Sequence, residues 1–305
     1  MNNKDVILGS SAFVQKIALG TVQFGMKYGI SNKLGQTKNS EVKKILECAY
    51  RNGISMLDTA PSYGDSETVI GNYLDKKSWN VVTKTPNFKG NTVNSNHVNK
   101  LLNSFILARK QFNQERLYGL LVHNCDELFL PGGEKIFHAM SQLKKNGIVE
   151  KIGVSIYNSE QINSVLDNYP IDLIQLPINI LDQRLINDGS LVKLKQNGVE
   201  IHARSAFLQG LLLMETHSVP LWFDPIKKKL KSFHDEANNR NISALQLALG
   251  FVNSISEIDK VIVGVNTLRH LQEIVDATSI YVNPSKFASL SVNDSMFINP
   301  SNWKV

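Results

Sequence analysis

Short apolar or β-branched runs alternate with stretches of helical periodicity from one end of the chain to the other. The runs are Lys16–Thr21, Ser55–Asp58, Trp79–Lys84, Leu117–His123, Lys151–Ser155, Leu173–Leu176, Glu200–Arg204 and Lys260–Val263. Helices are predicted near Ser40–Asn52, Ser66–Asp75, Val98–Gln111, Glu134–Lys145, Ser159–Asn168, Leu185–Gln196 and Leu268–Ala277. Two of them stop at a helix-ending pair, Asn146-Gly147 and Asn197-Gly198. Near-continuous apolar strands separated by helices imply a parallel sheet covered by those helices. Eight such units favour an α/β fold of the closed (β/α)8 TIM barrel type over an open doubly wound sheet. No G-x-G-x-x-G turn follows the first strand, which removes support for the open alternative.

Two segments exceed this plan. Pro220–Asn239 reads as an extra helix between the seventh and eighth strands, ahead of a helix starting near Ser243, and Tyr281–Val305 is a C-terminal tail. In a barrel such additions belong at the ends, where loops cover the active-site mouth. No Pro/Gly/Ser-rich linker or composition shift divides the chain, so residues 1–305 are expected to form one domain.

A hydrophobic fraction of 42% and a charged fraction of 20% suit a soluble globular protein, with no run long enough to span a membrane. The first twenty residues lack a continuous apolar core with a cleavage site and read as mature protein. Cys48 and Cys125 have neither metal-type nor disulfide spacing, which fits a reducing cytoplasm. The net charge of +6 is spread along the chain; Lys227–Lys229 and Lys231 read as a solvated helix face, so no nucleic-acid partner is expected.

Active sites on this barrel lie where strands give way to loops. Asp58, Lys84 and His123 end or immediately follow three neighbouring strands, and Tyr63 lies in the loop after Asp58. Each alone has an ordinary explanation as a turn cap, a solvated strand end or a core histidine. Together they suit proton transfer to oxygen. A tyrosine holds its proton at neutral pH; a nearby Lys84 ammonium is expected to lower its pKa, with Asp58 keeping that lysine charged. His123 can orient a carbonyl oxygen or help relay the proton. A phenol and an imidazole N–H suit the alkoxide that forms when a carbonyl receives a hydride.

These residues and their flanks resemble the aldo-keto reductase superfamily over nearly the whole chain. The likeness rests on Leu19-Gly20-Thr21 and Phe24-Gly25, on LDTAPSYG around Asp58, Tyr63 and Gly64, on Lys84 in VVTKT, on His123 in LLVHN, and on GIVEKIGVSIYN. The resemblance implies a catalytic tetrad, with Tyr63 as general acid, Lys84 and Asp58 tuning it, and His123 directing the carbonyl. It implies hydride from a reduced nicotinamide cofactor and no metal. Cofactor contacts carry over to Gly20 and Thr21, to Ser155 and Gln175 for the carboxamide, to Ser205, Leu208 and Gly210 along the pyrophosphate, and to Gly264, Asn266, Arg269 and His270 for the adenosine half. NADP (NADPH) is expected, because Asn266, Arg269 and His270 offer donors for a 2′-phosphate at a helix start, with NAD as the alternative.

The chain departs from many relatives at Ile156 and Ile274, where they carry Asn, and at Arg204, near which they carry an aromatic residue under the nicotinamide; here the nearest is Phe207. HARSAFLQGLLL is similar to bacterial reductases of sugar and surface-polysaccharide metabolism, which points to a sugar-derived aldehyde or ketone. Arg204 could meet an anionic substrate group or the pyrophosphate. Tyr28, Trp222 and Phe223 either line the mouth or pack the inserted helix. Two other readings stand beside the reductase: a cofactor-binding regulatory subunit, and a barrel aldolase with Lys84 as a Schiff base.

Overall fold

The computed structural model describes residues 6–8, 12–74 and 79–304. Eight parallel strands form a closed barrel: β1 (Ile17–Gly20), β2 (Met56–Asp58), β3 (Asn80–Lys84), β4 (Leu117–Val122), β5 (Val149–Ser155), β6 (Leu173–Pro177), β7 (Glu200–Arg204) and β8 (Lys260–Gly264). Pairing of β1 with β8, from Ile17↔Val261 to Gly20↔Gly264, seals the ring. The principal helices are α1 (Asn39–Arg51), α2 (Ser66–Gly71), α3 (Ser95–Gln111), α4 (Glu134–Lys145), α5 (Ser159–Asn168), α6 (Ser190–Gln196), α7 (Lys227–Asn239), α8 (Ala244–Asn253) and α9 (Leu268–Ala277).

The strands are apolar on both faces because each face meets a different core. Ala18, Met56, Val82, Leu121 and Leu173 fill the barrel interior. The alternate positions, among them Leu19, Leu57, Val81, Leu120 and Ile174, join the larger core under the helices. Side chains alternate along a strand, so the residue two places beyond an interior one also faces inward. Met56 is thus followed by Asp58, Val82 by Lys84, Leu121 by His123 and Leu173 by Gln175. The apolar layer is the floor on which the polar layer stands.

Several expected bounds shift for identifiable reasons. The helix expected over Leu185–Gln196 is two pieces, a turn at Arg184–Asn187 and then α6, because Gly189 takes a left-handed φ of 79° between them. α3 starts earlier than expected because Asn94 and His97 form a reciprocal capping box. α2 ends at Gly71, and Asp75, the expected end, lies outside the described residues. The inserted segment begins as a 3-10 turn, Leu221–Ile226, containing Pro225, before α7. Its Phe223 is fully buried and meets the Trp303 ring of the tail at 4.8 Å. The tail crosses back over the barrel: the Val292 N–H donates to Leu181 O (2.8 Å), and the Gln183 amide donates to Phe287 O (2.9 Å). A short antiparallel pair, Val6–Leu8 with Ile280–Val282, was not anticipated; three-residue runs carry too little pattern to read. No helix among the described residues is long and apolar enough to cross a membrane.

Candidate active site

The polar layer is organised around one buried ion pair. Lys84 Nζ donates to Asp58 Oδ1 (2.8 Å), Asp58 Oδ2 (2.9 Å) and the carbonyl of Thr59 (2.9 Å). Both side chains are nearly inaccessible, at 1% and 6% exposure. The Gln175 amide adds a third hydrogen bond to the carboxylate, donating to Asp58 Oδ1 at 2.7 Å, so β2, β3 and β6 meet on one group. Such a pair survives burial because its remaining donors and acceptors are satisfied.

Tyr63 is brought over this pair by the loop after β2. Lys84 Nζ lies 5.0 Å from the centroid of its ring. The His123 imidazole meets the ring edge-on, with centroids 6.0 Å apart and planes at 86°. Backbone contact fixes the loop: a Cβ on Gly25 would stand 1.8 Å from Tyr63 O, so only glycine allows this approach. Ser62 Oγ lies 3.4 Å from His123 Nδ1, and the His123 N–H donates to Thr85 Oγ1 at 3.1 Å. The structure thus assembles Asp58, Tyr63, Lys84 and His123 at one end of the barrel.

Their electrostatics differ from the expectation in one respect. Burial is the largest influence on the Tyr63 phenol and raises its pKa; Lys84 opposes this, Asp58 adds to it, and the net direction is upward from 10.0. The ammonium acts as anticipated, but it is outweighed, and Tyr63 holds its proton firmly. Burial pulls Lys84 down, yet Asp58 and Tyr63 beside it raise it more, so it stays charged. His123 is pushed down to about 4, by burial first and then by the Lys84 charge, with Arg204 adding to the effect. At neutral pH the imidazole is uncharged.

A cavity of about 510 Å³ opens from Asp58, Tyr63 and Gln175 and extends toward the start of α9. Of the residues predicted to hold a cofactor, Gly20, Thr21, Gln175, Ser205, Gly210, Gly264, Asn266 and His270 line it. Ser155, Leu208 and Arg269 do not. Ser155 is buried beside Gln175 in the sheet register, and Leu208 is fully buried in the core, its backbone in the left-handed region. Arg269 is 84% exposed, its Nε donating to Glu273 Oε1 at 2.8 Å. Thr21 lines the cavity with its hydroxyl already engaged, donating to Asp58 O (3.0 Å) and accepting from Ser66 Oγ (2.8 Å). Tyr28, Phe207 and Ile274 also line the cavity, whereas Trp222, Phe223 and Ile156 do not.

Gln23 was missed. Its side chain is buried in the cavity wall, and its Oε1 has no hydrogen-bond partner. An amide in the otherwise apolar stretch Val22–Gly25 (VQFG) was the available signal. An orphaned acceptor costs free energy unless something arrives to satisfy it, and a nucleotide ribose or amide supplies such donors. The cavity that runs from the strand ends to the start of α9, the orphaned Gln23 acceptor and the polar floor at one end fit a nicotinamide dinucleotide. No cluster of three or more His, Cys, Asp or Glu able to hold a metal occurs among the described residues.

A model of the aldo/keto reductase family matches residues 16–292. The L-galactose dehydrogenase of Arabidopsis thaliana is 25% identical over 285 residues, covering 86% of this chain and 85% of that protein. The NADH-specific methylglyoxal reductase of Escherichia coli is 29% identical over 190 residues, 56% of this chain and 57% of that one. Among solved structures, an aldo-keto reductase from Bacillus halodurans in its holo form superposes with a TM-score of 0.72 at 16% identity, covering 94% of this chain and 95% of its own. The glycerol dehydrogenase of Gluconobacter oxydans gives 0.70 at 18% identity, covering 95% and 94%; at these identities the two structures speak to the fold alone. With a family match across most of its length, the chain belongs to the aldo/keto reductase family of NAD(P)H-dependent oxidoreductases.

Proposed function

We propose that the protein reduces an aldehyde or ketone, with Tyr63 as the proton donor to the carbonyl oxygen. The carrying observation is a protonated phenol held over a buried, charge-satisfied Lys84–Asp58 pair and beside a neutral imidazole. When bound, the reduced nicotinamide supplies the hydride. The remaining work falls to the chain. As negative charge grows on the substrate oxygen, the Tyr63 O–H moves its proton there; a phenol above its usual pKa still yields to an alkoxide. Lys84 stabilises the phenolate left behind, and Asp58 keeps Lys84 in place and charged. If Ser62 donates to His123 Nδ1, Nε2 carries the imidazole proton and can donate to the same oxygen without adding a charge. The firmly held Tyr63 proton suits reduction better than the reverse reaction, which needs a phenolate base.

Gln23, Ser205 and Gln175 line the cavity that would hold the nucleotide, and Asn266 and His270 its adenosine end. NADPH over NADH is the finer reading. Arg269, its expected anchor, is exposed and paired with Glu273, so the preference should be modest. A sugar-derived or other small hydroxylated carbonyl is the substrate class, supported by polar Tyr28 and Gln209 on the cavity wall and by relatives named for L-galactose and methylglyoxal. The Schiff-base alternative requires a neutral, nucleophilic amine. Lys84 is held in the opposite state, with three acceptors on its ammonium. The deciding experiment is turnover of a carbonyl panel with NADPH and NADH in parallel, followed as loss of reduced-cofactor absorbance. Tight nucleotide binding without turnover across the panel would replace this reading with a cofactor-binding regulatory subunit.

A further inference from the structure

The charges at the reacting end of the cavity do not cancel. Lys84 is neutralised by Asp58. Tyr63 and His123 are both uncharged at neutral pH. That leaves Arg204, the last residue of β7 and part of the cavity wall. Its guanidinium carbon sits 4.3 Å from the centroid of the Tyr157 ring. Nη2 donates to Ile156 O at 3.1 Å and Nη1 to Ser205 Oγ at 3.4 Å. Tyr157 is itself anchored through its carbonyl to Arg184, which is paired with Asp182. Among the described residues, no carboxylate oxygen lies within 4.0 Å of Arg204. An always-ionised group is therefore held in the cavity wall without a counter-ion.

Its field reaches the reacting groups. Arg204 lowers the pKa of both Tyr63 and His123, acting in each case behind larger effects of burial and Lys84. Hydride transfer brings the donor carbon to about 3–3.5 Å from the carbonyl carbon whose oxygen meets Tyr63. The nicotinamide ring must then lie within the same field. That ring is neutral when reduced and cationic when oxidised.

We infer that Arg204 makes the protein discriminate between the two redox states of its nucleotide, holding the reduced form more tightly than the oxidised one. The inference rests on the hydride-transfer reading and adds a direction to it. One fixed positive charge favours the oxyanion developing on substrate and disfavours the cationic ring left after transfer. It thereby promotes reduction and release of the spent nucleotide. A phosphate contact alone would not do this, since both redox forms carry the same phosphates.

The test is equilibrium binding of NADPH and of NADP⁺ to the full chain by calorimetry, with NADH and NAD⁺ as a second pair. In the unaltered protein the reduced form should bind about tenfold more tightly or better, as expected for two like charges a few ångströms apart in a partly screened site. Arg204→Gln should bring that ratio toward one, mainly by improving the oxidised form. Arg204→Lys, which keeps the charge and loses the planar fork, should retain most of it. If Arg204→Gln weakens both forms equally, or changes only the KM of an acid-bearing substrate, the ratio is unmoved and the inference fails while the reductase reading stands. If neither form binds the unaltered protein, the nucleotide reading fails and takes the inference with it.

Discussion

Replacing Lys84 with Met would separate the structural from the chemical role of the buried pair. The substitution preserves much of the side-chain volume and removes the only cation hydrogen-bonded to Asp58 among the described residues, leaving a buried carboxylate with the Gln175 amide as its remaining side-chain donor. Stranding one partner of a buried ion pair costs about 3–5 kcal/mol. At roughly 1.5–2 °C per kcal/mol for a chain of this size, the melting temperature should fall by about 5–10 °C. Converting Asp58 to Asn in the same molecule removes the orphaned charge and still accepts from Gln175. Lys84→Met/Asp58→Asn should therefore recover at least about half of the loss, a coupling that a double-mutant cycle reads directly. Turnover should be down by about 100-fold or more in both variants, because neither has an ammonium under Tyr63. Thermal and denaturant unfolding of the four proteins, with turnover measured in parallel, supply the numbers. Single and double variants equally unstable would show that steric loss at residue 84, not stranded charge, sets the cost, and the electrostatic account of the site would have to be abandoned.

Further outcomes follow from the same geometry. Tyr63→Phe should lose about 100- to 10,000-fold in carbonyl reduction while binding NADPH as before; turnover near the original level would remove Tyr63 from its role. Since His123 titrates near 4, kcat/KM for reduction should show no imidazole step between pH 5 and 8, and a clear inflection near 6.5 would contradict the burial argument. The Glu200 carboxylate is driven down to about 2: burial opposes its ionisation, but hydrogen bonds from His202 and Lys151 outweigh burial. With its folded value below the unfolded 4.5, it contributes stability above pH 4.5 that is lost as the pH falls through about 2. Glu200→Gln should therefore narrow its deficit against the unaltered protein on acidification, checked by urea unfolding at pH 7 and pH 3. Arg269→Ala should reduce any preference for NADPH over NADH no more than severalfold, read as the ratio of the two dissociation constants; a far larger change would mean that Arg269 leaves Glu273 to grip the nucleotide.

The barrel was legible because strands buried on both faces leave an unbroken apolar signature, and each of the eight runs maps onto a strand shifted by no more than a residue or two. Asp58, Lys84 and His123 could be placed because strand ends are fixed by that signature, and Tyr63 by the flanks it shares with the family. What stayed hidden depends on distance through space. That burial outweighs Lys84 at Tyr63 is a property of the packed site, which no spacing encodes. Arg269 looked like a phosphate reader at a helix start, but only coordinates show it turned outward onto Glu273, one helical turn away. Arg204 was conspicuous as a departure, yet its want of a counter-ion is a statement about its whole neighbourhood. Gln23 lies between Leu19-Gly20-Thr21 and Phe24-Gly25, and sequence does not show that its buried acceptor is left without a partner.

The two-residue alternation that carries Asp58, Lys84 and Gln175 into the barrel has an evolutionary corollary. Gaining or losing a single residue within β2, β3 or β6 would turn the functional group toward the helices and an apolar one toward the centre, abolishing chemistry and packing in one event. Changes of length should accumulate instead beyond the strand ends, in the segments around 205–226 and 281–304. Lineages of this enzyme can be expected to diversify in what they accept while the strand lengths that set the buried Lys84–Asp58 pair stay frozen.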